Sequence, residues 1–224
     1  MSDLQLLLTI AAKDLRQELR SKAVTVATIF FSAIVLVILA FALGPEPSFL
    51  QNAAAGAIWV ALAFAGSIAA AQSYQYELEE GALDQLLLYP IARPIIYLAK
   101  LLANWLFMLI LAAVILPITI IMFKAEFALN PWLLITILLG TLGFAIIAGF
   151  YAALTANLRA RESLLPVLMF PVIVPVLLAA TEASDTLLQG LPLHNALSWL
   201  RLLAGFDLMY LVLCSAMFKF VIED

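Results

Sequence analysis

The sequence predicts an all-α integral membrane protein of six transmembrane helices, with an N-terminal amphipathic elbow helix and a short coupling helix between the second and third spans. Three observations predict it. Of 224 residues, 66% are hydrophobic and only 12% charged, a balance that does not fit a water-soluble globule. The apolar residues gather into six long runs, each near the roughly 20 residues that a helix needs to cross a bilayer core about 30 Å thick. Positive charge is also one-sided. With the N-terminus inside, Lys13, Arg16, Arg20, Lys22, Arg93, Lys100, Arg159, Arg161 and Lys219 fall on the cytoplasmic side and only Lys124 and Arg201 fall outside. That bias requires an even number of spans and places both termini in the cytoplasm.

Taken in order, the chain opens on residues 3–20, where Leu4, Leu7, Leu8, Ala11, Ala12, Leu15 and Leu19 recur at helical spacing. Lys13, Arg16, Gln17 and Arg20 occupy the rest of the circumference, so an amphipathic helix in the cytoplasmic interface is expected, capped by Ser2 or Asp3. Residues 23–43 form the first span. It lies behind more than twenty residues and lacks a small-residue cleavage site, so it reads as a retained helix rather than a signal peptide. Gly44-Pro45-Glu46-Pro47 makes a rigid outer turn, and the second span, 53–71, carries a stripe of Ala57, Ala61, Ala65 and Ala69 suited to close helix packing.

The following cytoplasmic loop is the most informative segment. Gly81 interrupts any helix continuing from the second span, residues 82–88 favour a new short helix, and Pro90 with Pro94 ends it and starts the next. Glu77, Glu79, Glu80 and Asp84 make it acidic against the usual basic bias of such loops, and Leu83, Leu86 and Leu87 give it an apolar side. That combination suits docking into a protein groove better than lying on anionic lipid.

The third span is 95–123 and the fourth 132–154, the latter with small residues at Ala145, Gly149 and Ala153 beside Ala148, Ala152 and Ala156. The fifth span, 164–181, contains Pro166, Pro171 and Pro175. The last two remove hydrogen bonds to the carbonyls of Val167 and Pro171, so a kink or a broken helix is expected. An outer loop over 181–200, holding Glu182, Asp185, His194 and Trp199, leads to the sixth span, 202–220.

Polar residues inside the spans are few. Asn104 lies in the third, and Asp207, placed near the outer end of the sixth, is expected to reach water or pair with Arg201. His194 has no second histidine or cysteine beside it and reads as a surface residue rather than a metal or haem ligand. Cys214, the only cysteine, cannot form an internal disulfide and reads as a small packing residue. No phosphate-binding glycine loop, His-Glu-x-x-His helix or paired mid-span carboxylates occur, which excludes ATP hydrolysis by this chain and leaves no evident proton or sodium relay.

Several strings resemble one family along essentially the full length. Gly44-Pro45-Glu46-Pro47, the stretch Glu80-Gly81-Ala82-Leu83-Asp84-Gln85-Leu86-Leu87-Leu88-Tyr89-Pro90, Leu98-Ala99-Lys100 with Trp105, and Leu138-Leu139-Gly140-Thr141-Leu142-Gly143 are similar to the permease-type B subunit of the haem exporter complex of cytochrome c maturation. That family belongs to the ATP-binding-cassette transporters. The resemblance implies a single, non-catalytic permease domain over 1–224, a homodimer of six-span subunits seated on two ATPase subunits in a bacterial inner membrane. It also implies a haem-handling membrane protein and a small membrane subunit as further partners. Glu80, Gly81, Asp84, Gln85 and Leu86 would couple to the ATPase. No cofactor would be held firmly by this chain: ATP and haem would reside on partner subunits, and nucleic acid has no part. A permease for another substrate, lipid or peptide, and a stand-alone carrier or assembly scaffold are the alternative readings.

Overall fold

The computed structural model describes residues 3–79, 92–124, 130–156 and 161–222. All elements among them are helices: α1 (Asp3–Arg20), α2 (Lys22–Leu43), α3 (Pro47–Glu79), α4 (Arg93–Phe123), α5 (Pro131–Thr155), α6 (Arg161–Leu188) and α7 (Leu193–Ile222). Six of them, α2 to α7, are long and apolar enough to span a bilayer. The predicted fold class is therefore the observed one, elbow helix included. The predicted coupling helix over 82–88 lies outside the described residues.

α3 is the centre of the bundle and packs against α2, α4, α5 and α6. Its sequence explains why: Ala57, Ala61, Ala65 and Ala69 are all buried, so neighbouring backbones come close along one stripe. Ser32 of α2 reaches across this seam, its hydroxyl 3.4 Å from the carbonyl oxygen of Ala61. The small residues of α5 are buried too, Ala145, Ala148, Gly149, Ala152 and Ala153 among them, so both small-residue stripes serve packing within the chain. α2 instead presents Phe30, Ile38 and Phe41 outward, and α7 presents Leu208 and Val212.

Buried tryptophan and tyrosine rings tie the helices by their polar tips, which a lipid-filled bundle must satisfy internally. Tyr97 donates to the Ile146 carbonyl at 2.8 Å, Trp59 Nε1 donates to Ser184 Oγ at 2.9 Å, and Tyr210 donates to the Val172 carbonyl at 3.1 Å. The glycines of the Leu138–Gly143 string make room for two such neighbours. A Cβ on Gly140 would enter the Trp59 ring, and one on Gly143 would collide with the Asp207 carboxyl.

Several boundaries differ from the sequence reading. α3 starts at Pro47 rather than 53 and runs on to Glu79, which at about 1.5 Å per residue carries it beyond a bilayer core. Pro47 suits the first helical position, where a missing N–H costs nothing. α6 is one continuous helix through Pro166, Pro171 and Pro175, so of the expected kink or break the break does not occur. Packing of α6 on α3, α5 and α7 outweighs the lost backbone bonds.

The predicted outer loop over 181–200 shrinks to a turn. α6 continues to Leu188 and α7 begins at Leu193, which places Glu182 and Asp185 in α6 and His194 and Trp199 in α7. The turn is a Schellman cap. Gly190 takes φ 65°, its N–H points to the Leu187 carbonyl at 3.4 Å, and the Leu191 N–H bonds to Thr186 at 3.0 Å. The hairpin of α2 and α3, at the same end of the bundle, turns on Gly44 at φ 77°.

Candidate functional site

The segment predicted to couple to an ATPase joins α3 to α4. Glu80, Gly81, Asp84, Gln85 and Leu86 all lie outside the described residues. What the structure does show is how the two stems of that segment are held. α3 and α4 meet at this end of the bundle, and α1 lies across them, packed chiefly on α4. Only Ser21 separates α1 from α2, so the elbow helix feeds almost directly into the first span.

α1 buries only part of its leucine stripe, with Leu7 and Leu15 half-buried against the bundle. Leu4 is 66% exposed, and Leu8 and Leu19 also face outward, as befits side chains immersed in the membrane interface. The inward face is Ile10, Ala11, Asp14 and Glu18. Ile10 and Ala11 sit against Ala99 and Ala103 of α4, and the small alanines bring the two helices close enough for the acidic pair to reach Lys100. Asp14, 5% exposed, lies 3.5 Å from the Lys100 ammonium, which is itself buried. The same ammonium stands 4.7 Å above the centre of the Tyr74 ring on α3, a cation–π contact strengthened by the absence of water. Lys13, half exposed, holds the other oxygen of Asp14 at 2.9 Å.

Glu18, one turn further along, completes the group. Burial pushes its carboxyl up to about 8, and the negative charge of Asp14 adds to the shift. Lys100 and the Ser73 hydroxyl of α3 oppose it. One lysine thus joins the elbow helix to both stems of the segment, with two acids sharing its charge. α1 meets α4 through an ion pair as well as apolar contact, and the same lysine touches α3 through the Tyr74 ring.

Lys100 was predicted only as a topology charge and as part of the Leu98-Ala99-Lys100 string, and Asp14 and Glu18 were not singled out. Their signal was present. Two carboxylates four residues apart, in register with Ile10 and Ala11, share one helical face. Asn104, one turn beyond Lys100, is also buried.

The other sequence candidates do not converge here. His194 is exposed in the first turn of α7, and among the described residues no group of three or more His, Cys, Asp or Glu is placed to hold a metal. Cys214 is buried, as a packing residue would be. Asp207 departs from expectation. With α7 starting at Leu193, it sits in the middle of the helix rather than near its outer end, and it is buried while Arg201 is exposed. No ion pair links the two, and neither carboxyl oxygen has a hydrogen-bond partner among the described residues.

At the end of the bundle opposite α1, a groove of about 500 Å³ runs between Phe41, Pro45, Leu50 and Met122, with Lys124 at its rim. Gln51 of α3 donates to the Lys124 carbonyl at 3.0 Å and fixes the end of α4 beside it.

Six packed spans among the described residues, together with an elbow helix clamped to α3 and α4, define a polytopic helical membrane protein. The chain belongs to the CcmB protein family, whose model matches residues 5–222. It is similar to heme exporter protein B of Pseudomonas aeruginosa, 32% identical over 89% of both chains. It is also similar to heme exporter protein B of Escherichia coli, 31% identical over 86% of this chain and 88% of that one. The protein of the same name from Rhodobacter capsulatus is 29% identical over 85% and 88%.

Proposed function

We propose that this chain is the membrane-spanning, non-catalytic subunit of an ATP-driven haem exporter of a bacterial inner membrane, acting in the delivery of haem for cytochrome c assembly. Its termini and residues 80–91 face the cytoplasm. There an ATP-binding-cassette subunit docks on Glu80, Gly81, Asp84, Gln85 and Leu86. Two copies of this chain, a haem-handling membrane protein and a small membrane subunit complete the assembly. ATP and haem are held by the partners.

The observation that carries this reading is the clamp on the stems of that segment, in a chain similar over nearly its whole length to heme exporter protein B. Closure of the ATPase would move residues 80–91. The movement would pass into α3, which packs on α2, α4, α5 and α6, and into α1 through Lys100, Asp14 and Glu18. A rigid shift of packed helices is the expected output, since such interfaces switch between discrete arrangements. The acidic character of the docking segment complements a basic groove on the partner.

Deletion of the gene in its native host, followed by haem staining of c-type cytochromes, tests the substrate class. Loss of holocytochromes, restored by the gene on a plasmid, is the expected result. Unchanged cytochromes with an ATPase still bound would move the assignment to export of another substrate.

A further inference from the structure

A second polar site lies within the membrane, away from the clamp. Asp207 occupies the midpoint of α7 (Leu193–Ile222), and Gly143, which it faces, the midpoint of α5 (Pro131–Thr155). A Cβ at Gly143 would meet Asp207 Oδ1 and come within 2.8 Å of Val176 Cγ1 on α6. The carboxyl is therefore seated in a notch where α5, α6 and α7 come together, and glycine at 143 is what opens the notch. Asp207 is 4% exposed, and neither oxygen has a hydrogen-bond partner among the described residues.

Among the described residues no neutralising cation makes an ion pair with it. On α4 the titratable groups are Tyr97 and, toward the α1 end, Arg93 and Lys100. On α5 there is Tyr151. α6 carries Glu182 and Asp185 toward its far end and Arg161 and Glu162 in its first turn. On α7 itself stand Arg201, which is exposed, with His194, Tyr210, Cys214 and Lys219. Of those whose side chains the structure describes, none makes a hydrogen bond or an ion pair with Asp207.

We propose that Asp207 is a proton-binding site at the centre of the bundle, and that its occupancy by a proton is linked to closure of the α5–α6–α7 seam. A bare carboxylate at this depth, without water, cation or donor, is the least favourable state a side chain can take in a bilayer. With a proton, the group fits the closed notch. Without it, the charge calls for water or a cation, and the seam must part to admit either. A ligand that binds one arrangement better than another shifts the population toward it, and here the ligand is the proton. The site stands independently of the haem-export reading, because it depends only on the packing of three helices.

A hydrophobic carbodiimide tests it, because N,N′-dicyclohexylcarbodiimide adds to the carboxylic acid form: the acid oxygen bonds to the carbodiimide carbon and the acid proton passes to its nitrogen. The chain is treated in its native membrane, assembled with whatever it binds, and its peptides are analysed by mass spectrometry. The expected result is an adduct on Asp207, with a yield that falls several-fold from the acid to the alkaline side of neutrality, and none from a water-soluble carbodiimide. Asp207→Asn abolishes the adduct while the variant still inserts and assembles, since the amide mimics the protonated group in shape. Absence of the adduct at every pH, or equal modification by the water-soluble reagent, would overturn the proposal.

Discussion

Lys100 is the residue on which the interfacial clamp turns. It is buried with Asp14 at 3.5 Å and Tyr74 beneath it, so removing its charge leaves the buried Asp14 beside Glu18 with the half-exposed Lys13 as its ion-pair partner. Breaking a buried pair from one side costs about 3 to 5 kcal/mol, and the lower end applies here because Lys13 still reaches Asp14 from the surface. Lys100→Met is expected to lower the detergent-solubilised melting transition accordingly, and Lys100→Met with Asp14→Asn to recover part of the loss. Glu18 gives the clamp a pH dependence. Its folded carboxyl is raised from 4.5 to about 8, so the folded state binds the proton more tightly than the unfolded chain. The stabilisation it contributes is complete below its ordinary value and is lost as pH rises through about 8. Thermal melts across that window should show declining stability in the native chain, and a flatter profile in Glu18→Gln. Helical periodicity points to this group only through the shared face of Asp14 and Glu18, because it ranks residues by apolarity. In this interfacial helix Leu4, Leu8 and Leu19 turn outward while Asp14 and Glu18 turn to the protein beside Ile10 and Ala11, which departs from the rule learned from soluble helices.

Helices were legible because lipid permits little else, but their ends were not. Hydropathy found the apolar cores of α3, α6 and α7 and stopped where polar residues began, whereas each helix continues through its polar turns to a proline or glycine. Pro47 and Gly190 were the signals that marked two of those ends. The prolines of α6 misled in the other direction: three of them suggested a break, and the packed neighbours keep the helix continuous. The Leu138–Gly143 string entered as a family likeness and acquires a cause. Gly140 seats the Trp59 ring, whose indole N–H bonds to Ser184, and so joins α3, α5 and α6. Gly140→Val is expected to expel the ring and destabilise the bundle by about 1 to 3 kcal/mol, the usual cost of overpacking. Tryptophan fluorescence should shift to the red as the ring leaves its buried seat.

Six spans return the C-terminus to the side of α1, so a single end of the bundle gathers the termini, the elbow helix and both stems of residues 80–91. On the proposed function, that convergence lets a push from the ATPase be received at one end, with α3 to carry it inward. Family and fold were readable from short strings and long apolar runs. The clamp and the seated Asp207 were not, since each depends on side chains from three helices far apart in sequence. The most direct test of the account is the recovery of an ATP-binding subunit with the tagged chain, purified in mild detergent from its native membrane, compared with its Glu80→Lys/Asp84→Lys form. The account predicts that the ATPase accompanies the native chain and is lost from the variant, with the variant still present in the membrane. An ATPase recovered equally with both, or with neither, would contradict it.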